Sequence, residues 1–276
     1  MTRLAPPVAS SSTSPAPARD RGDGGVDRPR TTGRCLDKPW HRTYLKRRPR
    51  MSRAQKANLN RLFDDYGLTF NHDSAVMDAE KTFETTRGRG GDCDSTRPGR
   101  SLVIELGFGS GESMLESALR RSETHDYVGV EVHKPGIATA LKEIEAKNLN
   151  NVRVVNIDGV WLMRDFIPEN SVSECCVYFP DPWTDERKAH RRLVNPLLLS
   201  LLERVLVRDG RLSVATDDDN YAAHVERVML EASERGWYPS SDGGFDRFES
   251  KYSRKGVDEG RSIKEFAYRF APVDVA

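Results

Sequence analysis

From residue 101 onward, short apolar or β-branched runs alternate with longer stretches whose apolar residues recur at helical spacing. The runs Leu102–Leu106, Tyr127–Val132, Val152–Ile157, Cys175–Phe179 and Leu212–Ala215 read as strands. Between and after them, Glu112–Arg121, Ile137–Lys147 and Tyr221–Arg235 carry a helical period. Such alternation predicts an α/β fold, a doubly wound, mostly parallel sheet with helices on both faces. Ligands of such sheets sit beyond the carboxyl ends of the strands, so the residues just after each strand are the ones to search.

Upstream the pattern is weaker. Ser52 followed by Gln55 has the form of a capping box, and Gly67 offers a stop. The stretch between them predicts a short amphipathic helix with Leu59, Leu62, Phe63 and Tyr66 turned inward. Residues 84–100, rich in Gly, Arg, Asp, Thr and Pro, read as a loop. Residues 1–27 are rich in Pro, Ser, Ala and Gly and hold too few large apolar side chains to offset chain entropy. Three segments follow: a disordered tail at 1–39, a basic segment with a short helix and loop at 40–100, and the sheet domain at 101–272. The tail has Arg3 but no acid before Asp20, which leaves an organellar leader as the alternative to a plain tail on a cytoplasmic protein.

Charge sharpens this division. Twelve Lys and Arg residues stand against one acid, Asp37, between Arg28 and Arg61, a local charge of +11. The formal net charge is only +1, so the rest of the chain carries −10. A basic arm on an acidic body suits a polyanionic partner held by the arm, with other chemistry in the body. No run is long and apolar enough for a membrane helix. The four cysteines show no paired spacing and the six histidines form no ligand-spaced cluster, so neither a disulfide scaffold nor a metal site is expected.

The strand ends carry the candidate chemistry. After the first strand, Glu105 leads into Gly107, Gly109 and Gly111, a turn that lets the backbone approach a ligand closely. A dinucleotide fingerprint requires glycine at position 112, but Glu112 occupies it, and a carboxylate repels a pyrophosphate. S-adenosyl-L-methionine carries a sulfonium cation and no phosphate, and acidic surroundings suit it. Glu131 ends the second strand, placed to accept from ribose hydroxyls, and Asp158 ends the third, either as an adenine contact or as the N-cap of the next helix. After the fourth strand, Pro180 and Pro182 bracket Asp181, and Trp183 offers a stacking face. Arg187, Lys188, His190, Arg191 and Arg192 follow at once and suit phosphate contacts.

These residues resemble a known family, the bacterial-type tRNA (guanine-N7)-methyltransferases. The resemblance rests on Glu-Leu-Gly-Phe-Gly-Ser-Gly at 105–111, Gly-Val-Glu-Val-His-Lys-Pro-Gly at 129–136, Phe-Pro-Asp-Pro-Trp at 179–183 and Ala-Thr-Asp at 215–217. It spans roughly residues 42–270. It implies a Rossmann-like class I methyltransferase domain at 101–272, S-adenosyl-L-methionine as cofactor and tRNA as partner. By the same resemblance Glu105, Gly107, Gly109, Gly111, Glu131, Asp158 and Asp181 hold the cofactor, and Asp181 is also catalytic. Asp185, Asp217, Ser250, Lys251, Tyr252 and Ser253 fall at substrate positions. Asp185 stands where the family usually has a lysine, and Ser250 and Ser253 replace its Thr and Glu.

The implied reaction is methyl transfer to N7 of a guanine in the tRNA variable loop, with Asp181 and Asp217 accepting from the guanine N1–H and N2 amino edge. A degenerate RNA-binding scaffold, or a methyltransferase for another RNA or a small molecule, is the alternative. The oligomeric state is left open, with a monomer favoured.

Overall fold

The computed structural model describes residues 43–45, 50–71, 73–84, 99–241, 247–248, 254 and 258–273. The tail at 1–39, most of the loop at 84–100 and the substrate candidates Ser250, Lys251, Tyr252 and Ser253 lie outside these residues.

The first helix, α1 (Arg53–Tyr66), starts as its sequence demands. Ser52 Oγ accepts from Gln55 N at 3.1 Å and Gln55 Oε1 accepts from Ser52 N at 3.0 Å, so two end-of-helix donors are satisfied reciprocally. Leu62 is buried, with Leu59, Phe63 and Tyr66 packed beside it against the core. Gly67 closes the helix in extended backbone (φ −90°) rather than a left-handed turn, because the chain runs directly into β1 (Gly67–Leu68). A short helix, α2 (Ala79–Glu84), follows and takes Glu84 out of the expected loop.

The remaining elements are β2 (Ser101–Leu106), α3 (Glu112–Arg120), β3 (His125–Val130), α4 (Lys134–Ala146), β4 (Val152–Val155), α5 (Gly159–Asp165) and β5 (Val172–Tyr178). After these come α6 (Pro196–Val205), β6 (Leu206–Thr216), α7 (Asp219–Ala232), β7 (Trp237–Pro239) and β8 (Lys264–Phe270). The described strands form one eight-stranded sheet in the order β1-β4-β3-β2-β5-β6-β8-β7. All pairs from β1 to β6 are parallel, while β8 runs antiparallel between β6 and β7. The chain winds outward from β2 through β3 and β4, then returns to β5 on the other side of β2. The carboxyl ends of β2 and β5 therefore flank the switch point, where this class of sheet opens a crevice.

Strand β3 runs His125–Val130 and β5 runs Val172–Tyr178, both starting earlier and ending sooner than their apolar runs, and three further differences have clear causes. Strand β4 stops at Val155 because the next residues turn to let Asp158 cap α5. Strand β6 begins at Leu206, carried through a left-handed Asp209 (φ 61°) that no apolar run announces. The antiparallel β7–β8 edge was not expected, since β8 mixes charged and aromatic positions and lies apart from the alternating core. One face of the sheet holds the cluster made with α1, α3 and α4, to which Val103, Tyr127, Val152, Val154 and Cys176 contribute. On the other, Leu106 meets the start of α5, and α6 and α7 pack alongside.

Candidate active site

Four adjacent parallel strands bring their acids to one rim: Asp158 after β4, Glu131 after β3, Glu105 at the end of β2 and Asp181 after β5. Glu131 is the anchor of this rim. Its Oε2 accepts from Gly109 N at 2.9 Å, and its Oε1 accepts from Val132 N at 2.7 Å and His133 N at 2.8 Å. Burial pushes the Glu131 carboxyl up, and these three N–H donors pull it back. A carboxylate offers about four acceptor positions, so about one is left for a ribose hydroxyl, not two as the sequence suggested.

The glycine turn is shaped by left-handed backbone at Gly107 (φ 78°), Gly109 (φ 62°) and Gly111 (φ 85°). Gly107 N donates to Val130 O at 2.7 Å, so the turn is tied at Gly107 and Gly109 to the end of β3 and to Glu131 just after it. Gly136 in the first turn of α4 presses on this loop: a Cβ there would collide with the Gly109 carbonyl oxygen. Gly136 was not among the expected site residues, although its place after Lys134-Pro135 at a helix start was a usable signal.

Glu105 lies under the turn, 5% exposed, on the sheet face that also carries Glu174 and Cys176. Among the described residues no hydrogen-bond partner reaches its side chain. Burial, with a smaller contribution from Glu174, pushes its carboxyl up to about 8. Glu174 itself is satisfied by Ser213 Oγ at 2.9 Å and Arg121 Nη1 at 3.2 Å. A buried carboxyl without a cation of its own fits a ligand that brings one. Glu112, at the start of α3, pairs with Arg254 at 3.1 Å and keeps a carboxylate where a diphosphate would need to pack. The glycine cradle, the one acceptor position left on Glu131 and the buried Glu105 without a cation of its own fit S-adenosyl-L-methionine. Asp158 Oδ1 accepts from Val160 N at 2.9 Å, so capping α5 is one of its duties.

The loop after β5 is strained and braced. Phe179 (φ 50°) and Trp183 (φ 44°), two bulky residues, both hold left-handed backbone, which costs of order 1–3 kcal/mol each and marks a functional loop. The brace is Arg192, 3% exposed, which donates to Pro182 O at 3.1 Å and pairs with Glu186 at 2.9 Å. Arg192 is thus a structural support, and the expectation that it contacts phosphate is corrected. Trp183 donates its indole N–H to Thr43 O at 3.1 Å, and the Arg191 guanidinium lies 5.1 Å above its ring, so one expected stacking face is already covered. Asp181 Oδ2 accepts from Leu45 N at 2.8 Å. This contact spans 136 residues of sequence and had no local signal.

Asp217 pairs with Arg261 at 2.8 Å beyond β6. Asp185 caps a 3-10 turn (Glu186–Arg191), accepts from Arg187 N at 3.1 Å and pairs with Arg187 and Lys188. Hydrogen bonds from Arg187, joined by Lys188, hold its carboxyl below the ordinary range. The acid at the usual lysine position is therefore flanked by two cations. On either side of the substrate candidates at 250–253, Phe248 N donates to Ser113 Oγ at 3.2 Å and Arg254 pairs with Glu112, both in the first turn of α3.

A doubly wound sheet whose switch point joins a phosphate-rejecting glycine turn to a rim of carboxylates defines an S-adenosylmethionine-dependent methyltransferase of class I. A family model described as "Putative methyltransferase" matches residues 99–266. The chain is 32% identical to the tRNA (guanine-N(7)-)-methyltransferase of Halorhodospira halophila over 84% of its length and 95% of that protein. It is also 32% identical to the enzyme of the same name from Alcanivorax borkumensis over 88% of its length and 95% of that protein. Among solved structures, the 16S rRNA methyltransferase KamB superposes with a TM-score of 0.47 at 15% identity, covering 72% of this chain and 96% of that one. The chain belongs to the tRNA (guanine-N(7)-)-methyltransferase family. Among the described residues, no helix is long and apolar enough to cross a membrane and no three potential ligands gather around a metal position.

Proposed function

We propose that this chain methylates N7 of a guanine in the variable loop of tRNA, acting as a monomer in the cytoplasm. The observation that carries the assignment is its relationship to tRNA (guanine-N(7)-)-methyltransferases over more than four-fifths of the chain and nearly all of those proteins. Bound at the rim, S-adenosyl-L-methionine supplies a methyl group activated by its sulfonium charge. Glu131 ties the glycine turn through Gly109 N–H and takes a ribose hydroxyl; Asp158 takes the adenine amine; Glu105 faces the cation.

Guanine N7 carries an in-plane lone pair and no proton, so no base has to act before transfer. The residues' task is alignment in a site shielded from water. Asp181 and Asp217 receive the guanine N1–H and N2 amino edge. Both already hold N–H donors, Leu45 N–H on Asp181 and the Arg261 guanidinium on Asp217, and guanine presents the same kind of group. As N7 becomes alkylated the ring turns cationic and its N–H groups more acidic, so these carboxylate contacts strengthen in the transition state. Ser250, Lys251, Tyr252 and Ser253 complete the substrate side, with Asp185 presenting Arg187 and Lys188. The basic segment, with Arg50, Arg53 and Lys56 on and before α1, holds phosphates.

The test is transfer of labelled methyl from S-adenosyl-L-methionine to bulk tRNA, followed by mapping of the modified base. N7-methylguanosine in the variable loop is the expected product. Label at another base refutes the assignment in favour of a methyltransferase with a different target, and no label with the cofactor bound refutes it in favour of the scaffold reading.

A further inference from the structure

A cavity of about 510 Å³ opens beyond the carboxyl ends of β4 and β1, between α1 and α5. None of its lining belongs to the glycine turn or to the acids of the rim. It nevertheless begins next to them in the chain, at Lys134 after His133 and at Asn156-Ile157 before Asp158. From β4 to β5 is three strand spacings, about 14 Å. A guanine held by Asp181 cannot also fill this cavity.

Its chemistry is selective. Phe63, Phe70 and Trp161 supply aromatic surface. Phe70 is fixed against Phe166 with ring centroids 4.8 Å apart, and Trp161 is tied by its indole N–H to Asp165 at 2.6 Å, so neither ring is free to collapse inward. Asn60, Asp64 and Thr69 line the same space from exposed positions and can meet the donors and acceptors of a planar heterocycle. Asn156 uses its amide N–H to hold Glu131 O at 2.9 Å, which turns its carbonyl to the role of acceptor.

Charge says what kind of ligand carries that heterocycle. Lys134 stands at the wall of the cavity and makes no ion pair among the described residues. Along α1, Lys56 lies one turn before Asn60, and Arg53 and Arg50 continue the line toward the basic segment. Aromatic faces with amide edges, approached along a row of cations, form the pattern that binds unpaired nucleotides. We propose that this cavity receives a second, unpaired base of the tRNA, with the adjoining phosphates on Lys134 and Lys56. The site thereby recognises RNA that has an open nucleotide at a set distance from the target guanine. This inference rests on tRNA being the substrate.

Plugging the cavity from its exposed rim tests it. Thr69→Trp enters from the end of β1 and Asn60→Trp from α1, and neither removes a buried side chain. Each variant and the parent chain are titrated with purified tRNA at fixed salt, and with S-adenosyl-L-methionine by calorimetry. Losing one stacked base predicts a tRNA Kd raised about five- to hundredfold, with the cofactor Kd unchanged. A tRNA Kd within twofold of the parent in both variants overturns the inference. So does an equal weakening of cofactor binding, which would make the cavity part of the methyl-donor site. A parent that binds no tRNA refutes the substrate assignment itself, whereas a parent that binds and methylates tRNA while the plugged variants match it refutes the cavity alone.

Discussion

Replacing Glu105 by Gln separates stability from function with a sign that the structure fixes. The carboxyl is buried and sits at about 8 in the folded chain against an ordinary value of 4.5. The folded state keeps its proton where the unfolded state has lost it, so stability is fully present below pH 4.5 and falls as pH rises through 8. At 1.36 kcal/mol per pKa unit, that gap corresponds to about 5 kcal/mol once the pH exceeds 8. The loss is about 3 kcal/mol at pH 7 and under about 1 kcal/mol at pH 5. Glutamine keeps the shape of the neutral acid and never ionises. Urea unfolding at pH 5, 7 and 9 should therefore find Glu105→Gln more stable than the parent by an amount that grows along that series. The same substitution removes the negative charge offered to the sulfonium. Cofactor affinity, which in the parent should rise with pH up to about 8 as Glu105 releases its proton, should be weaker and flat in the variant. A stability difference that is constant from pH 5 to 9 would mean that Glu105 is already ionised in the folded protein, and the argument from burial would fail.

Asp181→Asn should lose about hundredfold or more in turnover, with cofactor Kd changed little; equal turnover would remove Asp181 from the reaction. Gly136→Ala drives a methyl group into the Gly109 carbonyl. Its cofactor Kd should rise about tenfold or more while circular dichroism stays that of the parent, and an unaltered Kd would show that the turn yields without consequence. If the basic segment makes about six phosphate contacts, tRNA affinity should fall with a log–log salt slope of roughly −5. Deleting residues 28–50 should flatten that slope, and an unchanged slope would take the segment out of RNA binding.

The sequence determined the local and the periodic. Apolar runs announced the central parts of β2 to β6, because a strand buried on both faces is apolar along most of its length. The capping box placed the start of α1, because its two hydrogen bonds lie within three residues. Alternate glycines and Glu112 separated a sulfonium ligand from a diphosphate, since backbone freedom and charge are properties of the residues themselves. The tertiary structure decided what depends on distant partners. Glu131 spends three acceptor positions on backbone N–H groups. Burial on the sheet face, with a smaller push from Glu174, raises the Glu105 carboxyl far above the ordinary range. Arg192, the last of the basic cluster Arg187, Lys188, His190, Arg191 and Arg192, is buried under the Pro-Asp-Pro loop, and Leu45 reaches Asp181 across 136 residues. Burial and long-range hydrogen bonding are set by where the chain returns to itself, and no window of sequence contains that information.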